Sequence, residues 1–447
     1  MLIFGVTVVR VEFGLYVLIT AMLLSPEITA GAVGAHAERS VNLRYDDVLI
    51  PVIFLGVLTR LAFEGSTNFW RDNPVNFGIL AYYSVCLISS TRAIYFSYPA
   101  WDKPVAAFEL LKMLEFYMVF FIFWMSVRTR EEVRRQLTVF FVVSVIVCIY
   151  GIASISTLPR VSAPFEAGGT EPNTFGGYLM LIICAAVGLW STAPTRRLRW
   201  MFAGIGLMAF IPFVMTLSRA SYVSLFVALI VLGLMGRKTV ILAMIAVVLV
   251  ASPVIMPADV QSRVLSTFET GSGVPIEIGG LENPVHVDKS TYERIYIWQK
   301  VRFNLTVWPL LGGGVSWETV LDSQYARVLI ETGIIGMAAF SFLIVQLFRT
   351  SRQAYRWSRD WMMRGLALGT VASVVGLVVH GLGTISFLIV RIMEPFWFMM
   401  AICVIARHLA LEDYHRRLRE YYAERQRERE ELVDAFEAQG SATRRIV

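Results

Sequence analysis

The chain has 447 residues, of which 56% are hydrophobic and only 17% charged, and its mean hydropathy is +0.61. This composition is too apolar for a soluble protein of this length. The net charge of +6 arises from arginines in a few short loops, so it indicates membrane topology and excludes nucleic acid as the expected partner. The apolar residues form blocks of about 17 to 25 residues, the length of a membrane-spanning helix, without the alternation of a barrel strand.

The apolar blocks predict about twelve transmembrane helices. The first block carries Arg10 and Glu12 and has no clean cleavage site, so we interpret it as a span and not as a signal peptide. The four cysteines fall inside apolar blocks, where we expect packing and neither disulfides nor a metal cluster. The predicted spans are residues 2–24, 47–63, 76–95, 105–127, 137–156, 174–193, 199–217, 220–236, 239–256, 325–349, 364–383 and 387–408.

Every second loop is rich in arginine, which predicts the orientation of the chain. The arginine-rich loops should face the cytoplasm, together with both termini. The basic loops are 128–136, 194–200, 236–238 and 349–364. The segments expected on the outer side are 25–46, 96–104, 157–173 and 254–324.

We therefore expect an all-α polytopic membrane protein with a long, partly helical outer loop between the ninth and tenth helices. It divides into helices one to nine (1–253), the outer loop (254–324), helices ten to twelve (325–410) and a charged cytoplasmic tail (411–447). The tail should be a solvated helix, because opposite charges recur three and four positions apart. The alternative is contact with anionic lipid or a cytoplasmic partner through Arg416, Arg417 and Arg419.

The outer loop mixes aromatic residues and helix formers with glycine, so it should fold over the membrane. An amphipathic helix is predicted from about Thr291, capped by Ser290 or Thr291 and ending before Pro309. Gly312, Gly313 and Gly314 follow as a flexible turn. A phosphate cradle of backbone amides is the alternative, but the absence of a following GK[ST] sequence excludes a nucleotide-binding loop.

Three arginines lie where the positive-inside rule gives no reason for them: Arg160, Arg219 and Arg294. The planar guanidinium suits phosphate oxygens, and a lipid-linked sugar diphosphate would present such oxygens at the outer membrane surface. For Arg219 and Arg294 together we favour a ligand. The alternative is an ion pair with an acidic neighbour, namely Glu166, Glu171 or Glu293.

Ionisable side chains inside predicted spans are costly and often mark a cavity or a pathway. They can also neutralise one another when they are three positions apart on a helix. For His380, a contact between helices in which the ring nitrogens are hydrogen-bonded is favoured over a catalytic role. These residues are Glu109, Lys112, Glu115, His380, Arg391 and Glu394.

Four motifs together resemble the O-antigen ligase and O-antigen polymerase family of bacteria. They are PNTFGGYL (172–179), TLSRASY (216–222), YERIYIW (292–298) and GGGVSWETVLDSQYARVLIETGIIGM (312–337). The resemblance covers about residues 157–345 and extends to the number of spans and the long outer loop. It implies a metal-independent, inverting glycosyltransferase of the inner membrane, without a cofactor, which acts on the periplasmic face.

The resemblance also implies the ligands and the site. The donor would be an undecaprenyl-diphosphate-linked glycan and the acceptor a second glycan, with a flippase and a chain-length regulator as partner proteins. Arg219 and Arg294 match the arginines that hold the diphosphate in this family, where fixed guanidinium groups stabilise the leaving group. The expected substrate-binding residues within or beside these motifs are Arg160, Asn173, His286, Glu293, Trp298, Tyr325 and Arg327.

One departure from the family pattern affects the expected activity. Ligases of the family carry a His-Asn pair before the tenth span, where the histidine activates the acceptor, whereas this chain reads Asp322-Ser323-Gln324-Tyr325. Asp322 is our candidate for the general base, with His286 and Glu293 in reserve. The alternative for Asp322 is a helix cap. The missing histidine favours a polymerase of O-antigen, capsule or exopolysaccharide over a ligase.

Two functions of other classes remain as alternatives. A flippase or polysaccharide exporter would use the ionisable residues in the spans as a path and the outer loop as a lid. A metal-dependent glycosyltransferase would use Asp46 and Asp47 of RYDDVL in the first outer segment. For this acidic pair, a position at the membrane interface without a catalytic role is favoured.

Overall fold

A computed structural model describes residues 2–32, 40–65, 73–96, 103–164, 171–243, 274–276, 285–287, 289–318 and 322–443. Almost all of these residues lie in helices, and two short hairpins complete the secondary structure. The helices are α1 Leu2–Val9, α2 Val11–Leu24, α3 Asp46–Phe63, α4 Asn76–Tyr95, α5 Lys103–Ser126, α6 Arg130–Ala153, α7 Pro172–Thr192, α8 Arg196–Met215, α9 Arg219–Gly236, α10 Lys289–Val307, α11 Gln324–Trp357, α12 Trp361–His380 and α13 Val390–Thr443.

Within the described residues, eight helices are long and apolar enough to cross a membrane: α4, α6, α7, α8, α9, α11, α12 and α13. They coincide with eight of the predicted spans, which confirms a helical polytopic protein, while the count of twelve stays a prediction. The first predicted span is divided into α1 and α2 at Arg10, whose backbone is not helical. The helices α3 and α5 replace two further predicted spans, and each carries three or more charged residues. Most of the ninth lies outside the described residues.

The centre of the bundle is the contact between α7 and α12, whose residues are almost all buried. A Cβ atom at Gly188 would lie 2.4 Å from the carbonyl oxygen of Gly365, and one at Gly369 would lie 2.5 Å from that of Cys184. Only glycine therefore allows the two backbones to approach this closely, as small residues do in other membrane helix pairs. All four cysteines are buried and free, as expected.

The first half of α11 is broken at Gly333, where φ is +64° and ψ is −161°. The glycine turn inserts into this break. The amide of Gly313 donates to the carbonyl of Ile330 at 2.8 Å, and the amide of Gly314 donates to that of Glu331 at 2.9 Å. The amide of Gly312 in turn donates to the carbonyl of Trp308.

The described contacts therefore contradict the alternative of a phosphate cradle at the glycine turn. Its three amides already donate to protein carbonyls, and the break in α11 leaves two of these carbonyls, those of Ile330 and Glu331, without helical partners. The end of α4 holds the turn from the other side: Ser89 donates to the carbonyl of Leu311, and Arg92 donates to that of Gly312 and stacks on Trp308. The glycine turn therefore provides backbone hydrogen-bond partners at the break in α11.

Replacing Gly333 with alanine should destabilise the protein by about 3 kcal/mol or more, since its backbone conformation is essentially restricted to glycine. In addition, the new Cβ atom would lie 2.5 Å from the backbone of Leu310. Thermal unfolding in detergent measures the loss. Gly204→Ala is the matched control, because a Cβ atom there meets nothing within 4 Å and alanine favours a helix. Equal melting temperatures for both variants would contradict this account of the break.

Two hairpins were not predicted from the sequence. In the first, β1 (Glu27–Ala32) pairs antiparallel with β2 (Ser40–Arg44), and the register sets Glu27 opposite Arg44. In the second, β3 (Val274–Ile276) pairs with β4 (Val285–Val287) within the predicted outer loop. Strands this short carry too little alternation to be recognised in a sequence. The first hairpin matters most, because it fixes Arg44 and Glu27 beside the helical bundle.

The predicted helix of the outer loop is present as α10, which begins two residues earlier than expected. Ser290 and Thr291 therefore lie in its first turn and not at the capping position. One side of α10 packs on the bundle, since Ile297 and Val301 are buried against Ala326 and Ile330 of α11. The predicted tail helix is a direct continuation of α13, and its side chains up to residue 432 are mostly exposed.

Candidate functional site at the predicted outer end of the bundle

We call the predicted outer end of the bundle the end at which α9 begins and α12 ends. Here a tight loop joins α8 to α9. Leu217 adopts a left-handed backbone conformation, and Ser218 caps α9 by accepting a hydrogen bond from the amide of Ser221 at 3.3 Å. Arg219 is the first residue of α9 and is half-buried. A helix N-terminus already attracts anions, and a guanidinium at this position strengthens that attraction.

The structure brings Arg160 to the same loop, although 59 positions of sequence separate it from Arg219. Its Nε donates to the carbonyl of Thr216 at 3.1 Å, and its Nη2 donates to that of Leu217 at 3.3 Å. The amide of Val161 also donates to the carbonyl of Met215. Two of the three predicted outer arginines are thus held by one loop.

Asn173, in the first turn of α7, binds this loop through a side-chain hydrogen bond. Ser218 donates to its Oδ1 at 2.7 Å, and Ser221 donates to the oxygen of Ser218 at 2.8 Å. Asn173 is therefore engaged by the residue that caps the helix of Arg219. This contact holds the arginine loop on the central helix of the bundle.

His380, the last residue of α12, continues this chain of hydrogen bonds. Its Nε2 lies 3.0 Å from the oxygen of Ser221, and its Nδ1 lies 2.8 Å from that of Ser386. Because Ser221 gives its only hydroxyl proton to Ser218, Nε2 must donate to Ser221 and Nδ1 must accept from Ser386. Both ring nitrogens are occupied, so His380 is a satisfied contact between helices, which is the interpretation that the sequence favoured.

The beginning of α11 is bound to the same end of the bundle. The amide of Gln324 donates to the carbonyl of Gly381 at 2.9 Å, and its Oε1 accepts from the amide of Phe387 at 3.1 Å. Tyr325 is half-buried and donates its hydroxyl hydrogen bond to the carbonyl of Val378. The start of α11 and the end of α12 are therefore adjacent, and His380 links them to the loop of Arg219.

Asp322 directly precedes this attachment. The residue at the capping position of α11 is Ser323, so Asp322 does not cap the helix. Its side chain is exposed and has no hydrogen bond or ion pair among the described residues. This exposed carboxylate is therefore accessible to a hydroxyl group of a bound molecule.

Arg327, one turn further along α11, is placed differently from the other predicted binding residues. It is 8% exposed, and its Nε donates to Glu331 at 2.9 Å while its Nη2 forms an ion pair with Glu109 of α5. Glu331 also accepts from the amide of Ser316. Two carboxylates contact the guanidinium of Arg327, so we explain this residue as part of a buried ion-pair contact between helices and leave it out of the proposed site.

The remaining predicted residues belong to the outer loop. Arg294 and Glu293 lie on α10 and His286 lies on β4, but their side chains are outside the described residues. Trp298 is 48% exposed, next to the face of α10 that packs on α11. Arg294 precedes the contact of Ile297 with α11 by three residues, about one helical turn.

The ionisable residues of the spans are paired in ways that sequence spacing did not predict. Lys112 contacts Glu115, three positions away, but it also pairs with Asp47 of α3. Arg391 pairs with Glu27 of the first hairpin, and not with its helical neighbour Glu394. Sequence reasoning missed Arg44, although it stands two positions before the acidic pair in RYDD.

Comparison of the sequence with protein-family models and with curated proteins found no match.

Proposed function

We propose that this chain is a glycosyltransferase that polymerises undecaprenyl-diphosphate-linked oligosaccharide repeats at the periplasmic face of the bacterial inner membrane. One observation carries the proposal: Arg219 begins a helix at the predicted outer end of the bundle, on a loop whose carbonyls are bound by the distant Arg160. The positive-inside rule does not explain these two arginines, because both lie on the predicted outer side of the membrane. A helix N-terminus that carries a guanidinium at the membrane surface can bind the phosphate groups of a lipid-linked diphosphate.

In the proposed reaction, a hydroxyl oxygen of one repeat attacks the anomeric carbon of the other. The bond between that carbon and the phosphate oxygen breaks, and its electron pair leaves with the lipid diphosphate. Arg219 and Arg294 stabilise the negative charge that develops there. The hydroxyl proton passes to Asp322, and attack opposite the leaving group inverts the anomeric configuration.

The position of Asp322 supports its role as the base. It is exposed, it does not cap α11, and the adjoining Gln324 binds the end of α12. The hydrogen bonds from His380 through Ser221 and Ser218 then lead to the first turn of α9. The carboxylate and the arginine loop thus belong to one connected end of the bundle, as a base and a leaving-group site must.

Two other activities are weighed against this proposal. A ligase would use the same donor chemistry with a lipid A core acceptor, and the absent His-Asn pair disfavours it. A flippase or exporter would need the ionisable residues of the spans to line a path, but Arg327 and Lys112 are engaged by carboxylates of neighbouring helices. Paired charges of this kind join helices together.

Reconstitution tests the proposal directly. Purified protein in liposomes, given a lipid-diphosphate oligosaccharide, should produce a ladder of longer glycans and release free lipid diphosphate, measured by gel electrophoresis and mass spectrometry. Movement of the substrate across the bilayer without elongation would identify a flippase. Transfer that occurs only when lipid A core is added would identify a ligase.

A further inference from the structure

A second polar cluster lies apart from the arginine loop, where the first hairpin meets α3, α5 and α13. Its members come from four elements of the fold and are all largely buried. We call it the acidic cluster. It consists of Glu27, Arg44, Asp46, Asp47, Lys112, Glu115, Arg391 and Glu394.

Three cations hold the acidic cluster together. Arg44 contacts Asp46 at 2.6 Å through its Nη2, and the same nitrogen donates to the carbonyl of Met22. Lys112 and Arg391 make the ion pairs described above. The cluster therefore ties the hairpin to α2, α3, α5 and α13.

The cations do not balance the acids. Among the described residues of the cluster, five carboxylates face three cations, which leaves two negative charges in excess. A buried charge without compensation is costly in any protein and especially within a bilayer. Something else must therefore neutralise the cluster.

Glu394 shows where the compensation is missing. Its side chain is completely buried, its nearest cation is Arg44 at 3.8 Å, and neither carboxylate oxygen has a hydrogen-bond partner among the described residues. Both oxygens of Asp46, also 0% exposed, lack a hydrogen bond as well. Native proteins satisfy nearly all such buried acceptors. These two carboxylates face the same nitrogen of Arg44 and are directed into the cluster.

The geometry points to a divalent metal site, and we propose that the acidic cluster binds one hard divalent cation of the Mg²⁺ or Ca²⁺ class. Carboxylate oxygens of Asp46, Asp47 and Glu115 lie within 4.8 Å of one another, close enough to share an ion. The two charges of the ion equal the excess of the acids. All the donors are oxygens, which favours Mg²⁺ or Ca²⁺ over zinc.

The role of this ion is structural. The site shares no residue with the proposed glycosyltransfer site, so the inference does not rest on the proposed function. The ion clamps the hairpin and α3 onto α5 and α13.

Metal analysis of the purified full-length protein tests this proposal. After dialysis against Mg²⁺ or Ca²⁺, inductively coupled plasma mass spectrometry should find about one tightly bound divalent ion per chain. Adding the ion back to chelator-stripped protein should raise Tm by about 5 °C or more, whereas Na⁺ or K⁺ at equal ionic strength should not. Stripped protein that neither rebinds an ion nor changes its Tm would overturn the proposal and identify protons as the compensation.

Two variants separate a metal site from a network of ion pairs. Asp46→Asn should abolish ion binding and the Tm shift. Glu394→Gln should raise the Tm of the stripped protein, because it removes an excess charge; a lower Tm would show that Glu394 serves as a needed ion-pair partner. Glu64→Gln is the matched control, since this acid is a third exposed and pairs with Arg60 away from the cluster. It should leave ion binding unchanged.

Discussion

Replacing Arg219 with alanine is expected to reduce glycan transfer by about 10²-fold or more, the usual cost of losing one fixed donor to a developing negative charge. The reason is its place at the first residue of α9, where a guanidinium and the helix N-terminus act together on an anion. Steady-state transfer in liposomes measures the effect. Lysine at this position should recover only part of the rate, because it lacks the planar fork.

A matched control exists for Arg219. Arg196 is likewise the first residue of a helix, α8, but it is exposed at the opposite, predicted cytoplasmic end of the bundle. Arg196→Ala should transfer glycan at the wild-type rate. If Arg219→Ala is as active as Arg196→Ala, with equal protein in the liposomes, the assignment of the diphosphate to this loop is wrong.

Replacing Asp322 with asparagine should lower the transfer rate by about 10²- to 10⁴-fold, the range that general-base catalysis provides. Asparagine keeps the shape of the side chain and removes its basicity. Because the carboxylate is exposed and does not cap α11, the variant should fold with an unchanged Tm.

The neighbouring serine controls for an effect on the helix. Ser323 occupies the capping position but makes no capping hydrogen bond with its side chain, so Ser323→Ala should change the rate little. Asp322→Glu should keep measurable transfer. A fully active Asp322→Asn variant would remove this residue from the mechanism and direct attention to His286 and Glu293.

Local patterns were sufficient for most helices. The blocks that became α4, α7 and α9 match their predicted spans within a few residues. They could be read directly because a helix in lipid must satisfy its own backbone and present apolar side chains over a fixed length. The start of α10 was misplaced by two residues, since capping residues and first-turn residues have similar compositions.

The candidate site was predictable only in part. The position of Arg219 before a span marked it as unusual, because a cation there has no topological explanation. Its neighbourhood was not predictable: the contact of Arg160 with residues 216 and 217, and the bond from Ser218 to Asn173, join segments far apart in the chain. Likewise, Arg327 reads as a binding residue in sequence and proves to be paired with Glu109.

The sequence by itself determined that the chain is a helical polytopic membrane protein and which side chains are too polar to be explained by burial in lipid; of its twelve predicted spans, eight coincide with apolar helices among the described residues. These properties depend on hydrophobicity and length, which are local. Only the tertiary structure decided what those polar side chains contact. Five acids and three cations converge on one buried cluster, and a triple glycine closes a broken helix. Ion pairs and backbone hydrogen bonds of this kind form between distant segments, so spacing along the chain does not reveal them.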